Sequence, residues 1–256
     1  MVIVEKIYIE NIPLLHIVKQ SLKGEQTPFV MFVHGFMSVK EKNLHYAYHL
    51  AEKGIRVVLP EALYHGERSK NFDTLQMSIR FWEIVLNEIK EINTIKQYFE
   101  ANGLINREQI GLAGTSMGGI TTLGALTQYD WIKAAVSLMG NPCYTAFLKT
   151  QLELLEKNGV KIPLSDDELA EQMNMLERYD LSMHKEKLKN RPLLFWHGER
   201  DLEVPFAQTY QFYKEIIPLY EQSPEKLSFI VDQKAAHVVS QEGVKALVDW
   251  FERYLH

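Results

Sequence analysis

Gly111-Leu112-Ala113-Gly114-Thr115-Ser116-Met117-Gly118-Gly119-Ile120 sets a serine between two glycines in a Gly-x-Ser-x-Gly pattern. Such a run is either a nucleophile held on a tight strand-to-helix turn or a glycine-softened connection with no chemistry in it. At ordinary glycine and serine usage, a chain of this length contains the pattern by chance with a probability of about one in ten. The neighbouring sequence must therefore decide. Residues 109–113 (QIGLA) read as a short apolar strand and residues 117–127 as a helix. The flanking glycines suit a turn where backbones approach closely. A helix starting just beyond Ser116 aims its first N–H groups and the positive end of its dipole at that residue.

Outward from this stretch, strand and helix alternate. Residues 2–9 and 14–18 read as an opening hairpin with a turn at 10–13. Phe29–Val33 (FVMFV) is a short apolar strand ending at His34-Gly35, and 43–53 reads as a helix stopped by Gly54. Ile55–Leu59 follows as a strand, then one long helical pattern over about 74–101. Residues 134–138, 192–196 and 227–231 are further strands, with helices at 205–217 and 240–255. This alternation predicts an α/β fold, a mostly parallel central sheet flanked by helices. The exception is a helix-rich excursion at about 141–190. There Ser165-Asp166-Asp167-Glu168 forms a capping-box signature. We expect a helical cap inserted between strands of one domain spanning 1–256.

Composition narrows the function. With 256 residues, 46% hydrophobic and 24% charged, the chain has the balance of a globular α/β domain. A net charge of −5 with scattered basic residues offers no footprint for nucleic acid or an anionic membrane. The opening MVIVEKIYIE lacks a basic leader and cleavage site, no run approaches bilayer length, and Cys143 is the single cysteine. These features favour the cytoplasm. No Gly-x-Gly-x-x-Gly or P-loop suggests a nucleotide cofactor. His45 and His49 are four apart, but Tyr46 stands where a zinc protease needs its glutamate. We therefore expect neither cofactor nor metal.

A serine nucleophile needs a base, and the base an orienting acid. After the 192–196 strand comes His197-Gly198-Glu199-Arg200-Asp201-Leu202-Glu203-Val204-Pro205, offering three carboxylates. After the 227–231 strand comes Lys234-Ala235-Ala236-His237. Both follow parallel strands at the edge where α/β sheets assemble sites.

From Phe29 onward the chain resembles the α/β-hydrolase superfamily, and within it the small bacterial esterases of the dienelactone-hydrolase and prolyl-oligopeptidase-like group. The resemblance rests on His34-Gly35-Phe36, Tyr64-His65-Gly66-Glu67-Arg68, Gly114-Thr115-Ser116-Met117-Gly118-Gly119, His197-Gly198 with Asp201 and Val204-Pro205, and His237. It implies Ser116 as nucleophile, His237 as base and Asp201 as acid, because the family spacing after His-Gly falls on Asp201 rather than Glu199 or Glu203. It implies an oxyanion hole from the backbone N–H groups of Phe36 and Met117. His34, Tyr64, His65, Tyr144, Phe147 and Met173 are candidates for a substrate pocket, with His34 and His197 expected to brace their loops. The implied function is a cofactor-independent serine carboxylesterase acting on small or short-acyl esters. Peptidase, thioesterase or lactonase activity on the same residues, or a non-catalytic ligand-binding relative, are the alternatives.

Overall fold

The computed structural model describes residues 1–157, 159 and 165–256. In chain order the elements are β1 (Val2–Ile9), β2 (Ile12–Lys19), β3 (Thr27–Val33), α1 (Leu44–Glu52), β4 (Arg56–Pro60), α2 (Thr74–Ile79), α3 (Phe81–Ala101), β5 (Ile105–Thr115) and α4 (Met117–Gln128). Then come β6 (Ala134–Leu138), α5 (Tyr144–Lys157), α6 (Asp166–Glu177), β7 (Leu193–Gly198), α7 (Phe206–Ile216), β8 (Leu227–Asp232) and α8 (Gln241–Leu255). One eight-stranded sheet runs in the order β1-β2-β4-β3-β5-β6-β7-β8. The β1–β2 and β2–β4 pairs are antiparallel; every pair from β4–β3 to β7–β8 is parallel. With helices covering both faces, this is an α/β-hydrolase fold.

The central strands carry unbroken apolar runs where both faces are covered. Phe29 to Val33 are all fully buried. On one face α1 and α8 pack through Leu50, Leu247 and Phe251; on the other α3 and α4 pack through Ile89, Ile92, Ile120 and Leu123. Helix α4 lies deepest, and its run of small residues lets it press against the sheet. A Cβ on Gly118 would stand 2.1 Å from the Val33 carbonyl oxygen, so no larger residue fits there.

Two local expectations change. The opening turn is only Glu10-Asn11, because Ile12 and Pro13 already pair with Ile9 and Tyr8, and Glu10 takes φ 53°. The helix expected over 74–101 is broken at Arg80, whose ψ of 3° ends α2. There the Arg80 N–H bonds to the Met77 carbonyl and its guanidinium lies 4.2 Å from the Phe72 ring centre. The break turns Phe81 and Trp82 inward while Leu75 and Ile79 stay exposed.

The excursion holds α5 and α6, and the capping box at Ser165 and Glu168 is formed. Buried Asp180 ties its two ends together, accepting hydrogen bonds from the Thr145 N–H and hydroxyl and from the Ser182 N–H and hydroxyl. Its base is anchored by the Tyr144 hydroxyl, which donates to the Ile120 carbonyl at 2.6 Å.

Candidate active site

Ser116 is the first residue after β5 and the N-cap of α4. Its φ of 56° and ψ of −116° are rarely adopted by a non-glycine residue. Such strain persists only when the surroundings over-determine it. Here Gly114 and Gly118 permit it: a Cβ on Gly114 would lie 2.3 Å from the Gly118 backbone. The turn projects Ser116 at the C-terminal edge of the sheet.

Two loops at the same edge meet it. The loop after β8 brings His237 Nε2 to 2.8 Å from Ser116 Oγ, and His237 Nδ1 to 2.7 Å from Asp201 Oδ2. The Nδ1–H donates to the carboxylate, leaving Nε2 to accept the serine proton. The loop after β7 supplies Asp201, whose Oδ1 accepts the N–H groups of Glu203 and Val204 at 2.9 and 3.0 Å. His197 Nε2 faces two acceptors, the Val204 carbonyl at 3.0 Å and Asp201 Oδ2 at 3.2 Å, so it carries a proton and braces the loop. Burial pushes the Asp201 carboxyl up, but the hydrogen bonds from His197, His237 and Val204 outweigh it and hold the group well below the usual carboxylate range. The loops themselves are welded together, since a Cβ on Gly198 would strike the Ala235 and Ala236 carbonyls. Glu203, the nearer rival carboxylate, is largely exposed and 4.0 Å from His237 Nε2.

The loop after β3 carries Phe36. The Met37 N–H donates to His65 Nε2 and the Ser38 N–H to the Gly35 carbonyl, which leaves the Phe36 N–H without an acceptor among the described residues. The Met117 N–H, at the first position of α4, likewise has no intrahelical partner. Behind this loop lies a buried ionic cluster. Glu61 accepts from Lys40 Nζ at 2.6 Å and from the Lys40 N–H at 3.2 Å. Lys40 Nζ also meets Glu67 at 2.8 Å and Glu41 at 2.9 Å. These three carboxylates converge as a cation's ligands would, but the Lys40 ammonium stands among them and supplies the positive charge. Burial raises the Glu61 pKa, yet the hydrogen bonds and the charge of Lys40 prevail and hold it below the usual carboxylate range. Arg68 locks the same segment to α3 through a two-pronged pair with Glu91.

A cavity of about 370 Å³ opens beside Ser116. Of the six sequence candidates for a substrate pocket, Phe147 is on its wall; the other five are not, and these placements correct the expectation. His34 is fully buried, donating from Nδ1 to the Gly35 carbonyl and accepting the Ala62 N–H at Nε2. That acceptance makes the ring neutral, so its 3.4 Å approach to Glu61 is not an ion pair. His65 supports Met37, and Tyr64 donates to Glu83 at 2.7 Å beside Phe72. Tyr144 is completely buried under Trp82, and Met173 packs against the apolar core from α6. Leu148 and Leu152 on α5 belong to the excursion expected to cover the site; the walls that sequence reading missed come from the α2–α3 junction (Ile79, Phe81, Trp82) and from Val204. Apart from the aromatic pair Phe81-Trp82 opening a helix, no sequence signal marks them.

The fold and site define a class, the serine hydrolases of the α/β-hydrolase type. Residues 42–256 match the prolyl oligopeptidase family, to which the chain belongs. It is 51% identical, over the whole of both chains, to the Bacillus subtilis protein named Putative esterase YitV. It is also 28% identical, again over the full length of both, to Esterase YjfP of Escherichia coli. Among solved structures, TT1662 from Thermus thermophilus superposes with a TM-score of 0.78 at 19% identity, covering 100% of this chain and 99% of that one. Among the described residues, no helix is long and apolar enough to cross a membrane.

Proposed function

We propose that the protein is a serine carboxylesterase that cleaves neutral esters through an acyl-enzyme, with Ser116 as nucleophile, His237 as base and Asp201 as orienting acid. The observation that carries this reading is the unbroken chain of hydrogen bonds from Asp201 through His237 to Ser116 Oγ. His237 takes the serine proton as Oγ attacks the ester carbonyl, then returns it to the departing alcohol. Asp201 holds the imidazole in the Nδ1–H tautomer and stabilises its protonated form. The N–H groups of Phe36 and Met117 receive the oxyanion, a contribution of about 3 kcal/mol per donor in comparable sites. Water then attacks the acyl-enzyme by the same proton route in reverse. The segment 141–190 acts as a cap within a single domain, since α5 walls the cavity that opens at Ser116.

Preference for esters over peptides draws its support from the names of the two full-length relatives. A fluorophosphonate probe followed by peptide mapping tests the mechanism, alongside turnover of 4-nitrophenyl esters. We expect one label, on Ser116, that abolishes ester turnover in proportion to its stoichiometry. A protein that takes no label and turns over no ester is a non-catalytic binder, and the proposal then fails.

A further inference from the structure

The leaving group and the acyl group of an ester occupy different sides of this site. The leaving oxygen must face His237 Nε2 to receive its proton. His237 is not on the wall of the 370 Å³ cavity, whereas Ser116 and Phe36, which hold the carbonyl, are. Around His237 the surface is open: neighbouring Val238, which is not on the cavity wall, is 64% exposed. The alcohol therefore departs through the open side, and the cavity belongs to the acyl group.

The chemistry of the walls defines that group. Phe36, Phe81, Trp82 and Phe147 form an aromatic sleeve next to Ser116, with ring centres 5.2 to 6.2 Å apart along the series. Leucines of α5 continue it. Two of the polar groups on the walls are already engaged: the Trp82 indole N–H donates to Gln151 Oε1 at 2.9 Å and the Ser78 hydroxyl to the Thr74 carbonyl at 2.8 Å. The single ionisable residue on the wall, among the described residues, is Glu203. No cation is there to receive an acid group on the acyl chain, and burying one unpaired would be costly.

From this sleeve we infer that the protein is selective for neutral, apolar acyl groups of medium length rather than for acetyl esters. At about 30 Å³ per water-sized group, 370 Å³ holds about a dozen non-hydrogen atoms, which sets an upper limit of about ten carbons on an acyl chain that fits inside it. A two-carbon acyl group fills a small part of that volume and buries little apolar surface. Each further methylene buried against the sleeve favours the transition state by up to about fourfold, until the cavity is full. This inference rests on the esterase reading and replaces its short-acyl expectation.

The test is kcat/KM for 4-nitrophenyl acetate, butanoate, hexanoate, octanoate, decanoate and dodecanoate, whose leaving group is constant. The expected profile rises at least tenfold from acetate to a maximum between hexanoate and decanoate, then falls. Leu152→Trp and Ile79→Trp, which narrow the cavity from α5 and α2, should each lower the octanoate-to-acetate ratio at least tenfold. Ile79 is 38% exposed, so its replacement leaves the core intact even if the Leu152 variant does not fold. A profile that declines steadily from acetate, or a ratio moved by neither variant, overturns the acyl-length inference while leaving the esterase reading standing. Absence of turnover on every ester overturns both.

Discussion

Two buried carboxylates stand at the loop edge of the sheet, Asp201 in the loop that reaches Ser116 through His237 and Glu61 behind the loop that carries Phe36, and their surroundings are closely alike. Asp201 is held by two histidines and by the N–H groups of Glu203 and Val204. Glu61 is held by Lys40, with His34 beside it, and by the N–H groups of Lys40 and Glu67. The difference is where each network ends. Through His237 the Asp201 network ends on the Ser116 hydroxyl, so its charge can respond to a moving proton. The Glu61 network ends on backbone and on further carboxylates: His34 on the Gly35 carbonyl, Lys40 on Glu67 and Glu41. A buried acid is thus no signature of catalysis by itself. What distinguishes the two is a second histidine nitrogen facing the Ser116 hydroxyl, against partners that are all fixed.

That contrast can be broken at four places. Ser116→Ala removes the group on which the Asp201 network ends, and we expect kcat on a chromogenic ester to fall by about ten-thousand-fold or more with an unaltered thermal midpoint. Asp201→Asn should cost between about a thousandfold and ten-thousandfold by admitting the wrong histidine tautomer, with Glu199→Gln as a near-neutral control. If Glu199→Gln proved the crippling change, the acid assignment would be wrong.

Glu61→Gln should act mainly on stability, because it removes the one fully buried carboxylate of the three around the Lys40 ammonium; with Glu67 and Glu41 still in place, the cost should fall below the about 3–5 kcal/mol of breaking an isolated buried pair. The loss of turnover should be smaller than for Asp201→Asn, about ten- to a hundredfold, through displacement of the Phe36 N–H. Its pH behaviour has a definite sign. Glu61 has its folded pKa lowered from an ordinary 4.5, so its contribution is complete above the unfolded value and disappears as pH falls through the folded one. Urea denaturation from pH 6 down to pH 2.5 should therefore show the wild type losing stability more steeply than Glu61→Gln; parallel curves would remove Glu61 from this role. The smallest effect belongs to Glu203→Gln. An exposed carboxylate 4.0 Å from His237 should change turnover of a neutral ester by no more than about twofold, checked at low and high salt.

The opening hairpin, the parallel strands and the residues at their ends were legible because they carry local signals. Ser116, Asp201 and His237 each sit in a motif at a strand end, and the structure brings all three within hydrogen-bonding distance. Lys40 and Glu61 passed unnoticed: each looks like an ordinary surface residue, and only the approach of the loops after β3 and β4 buries them together. The break at Arg80 was equally hidden, since the apolar spacing of α3 continues without interruption into α2.

Sequence alone determined the alternation of strand and helix, the mostly parallel sheet it implies and which residues stand at the strand ends, because strand and helix periodicity and the glycine-flanked turn are written within a few adjacent residues. It also placed Phe147 near the site. Tertiary structure alone decided the cavity, which is the space left where the α2–α3 junction, α5 and the loop after β7 fail to meet. Its walls are leucines, isoleucine and aromatic rings indistinguishable in sequence from core residues. The physical reason is that burial drives such side chains inward without regard to partner, so whether they close on one another or leave room for an acyl chain depends on the distances between elements far apart in the chain.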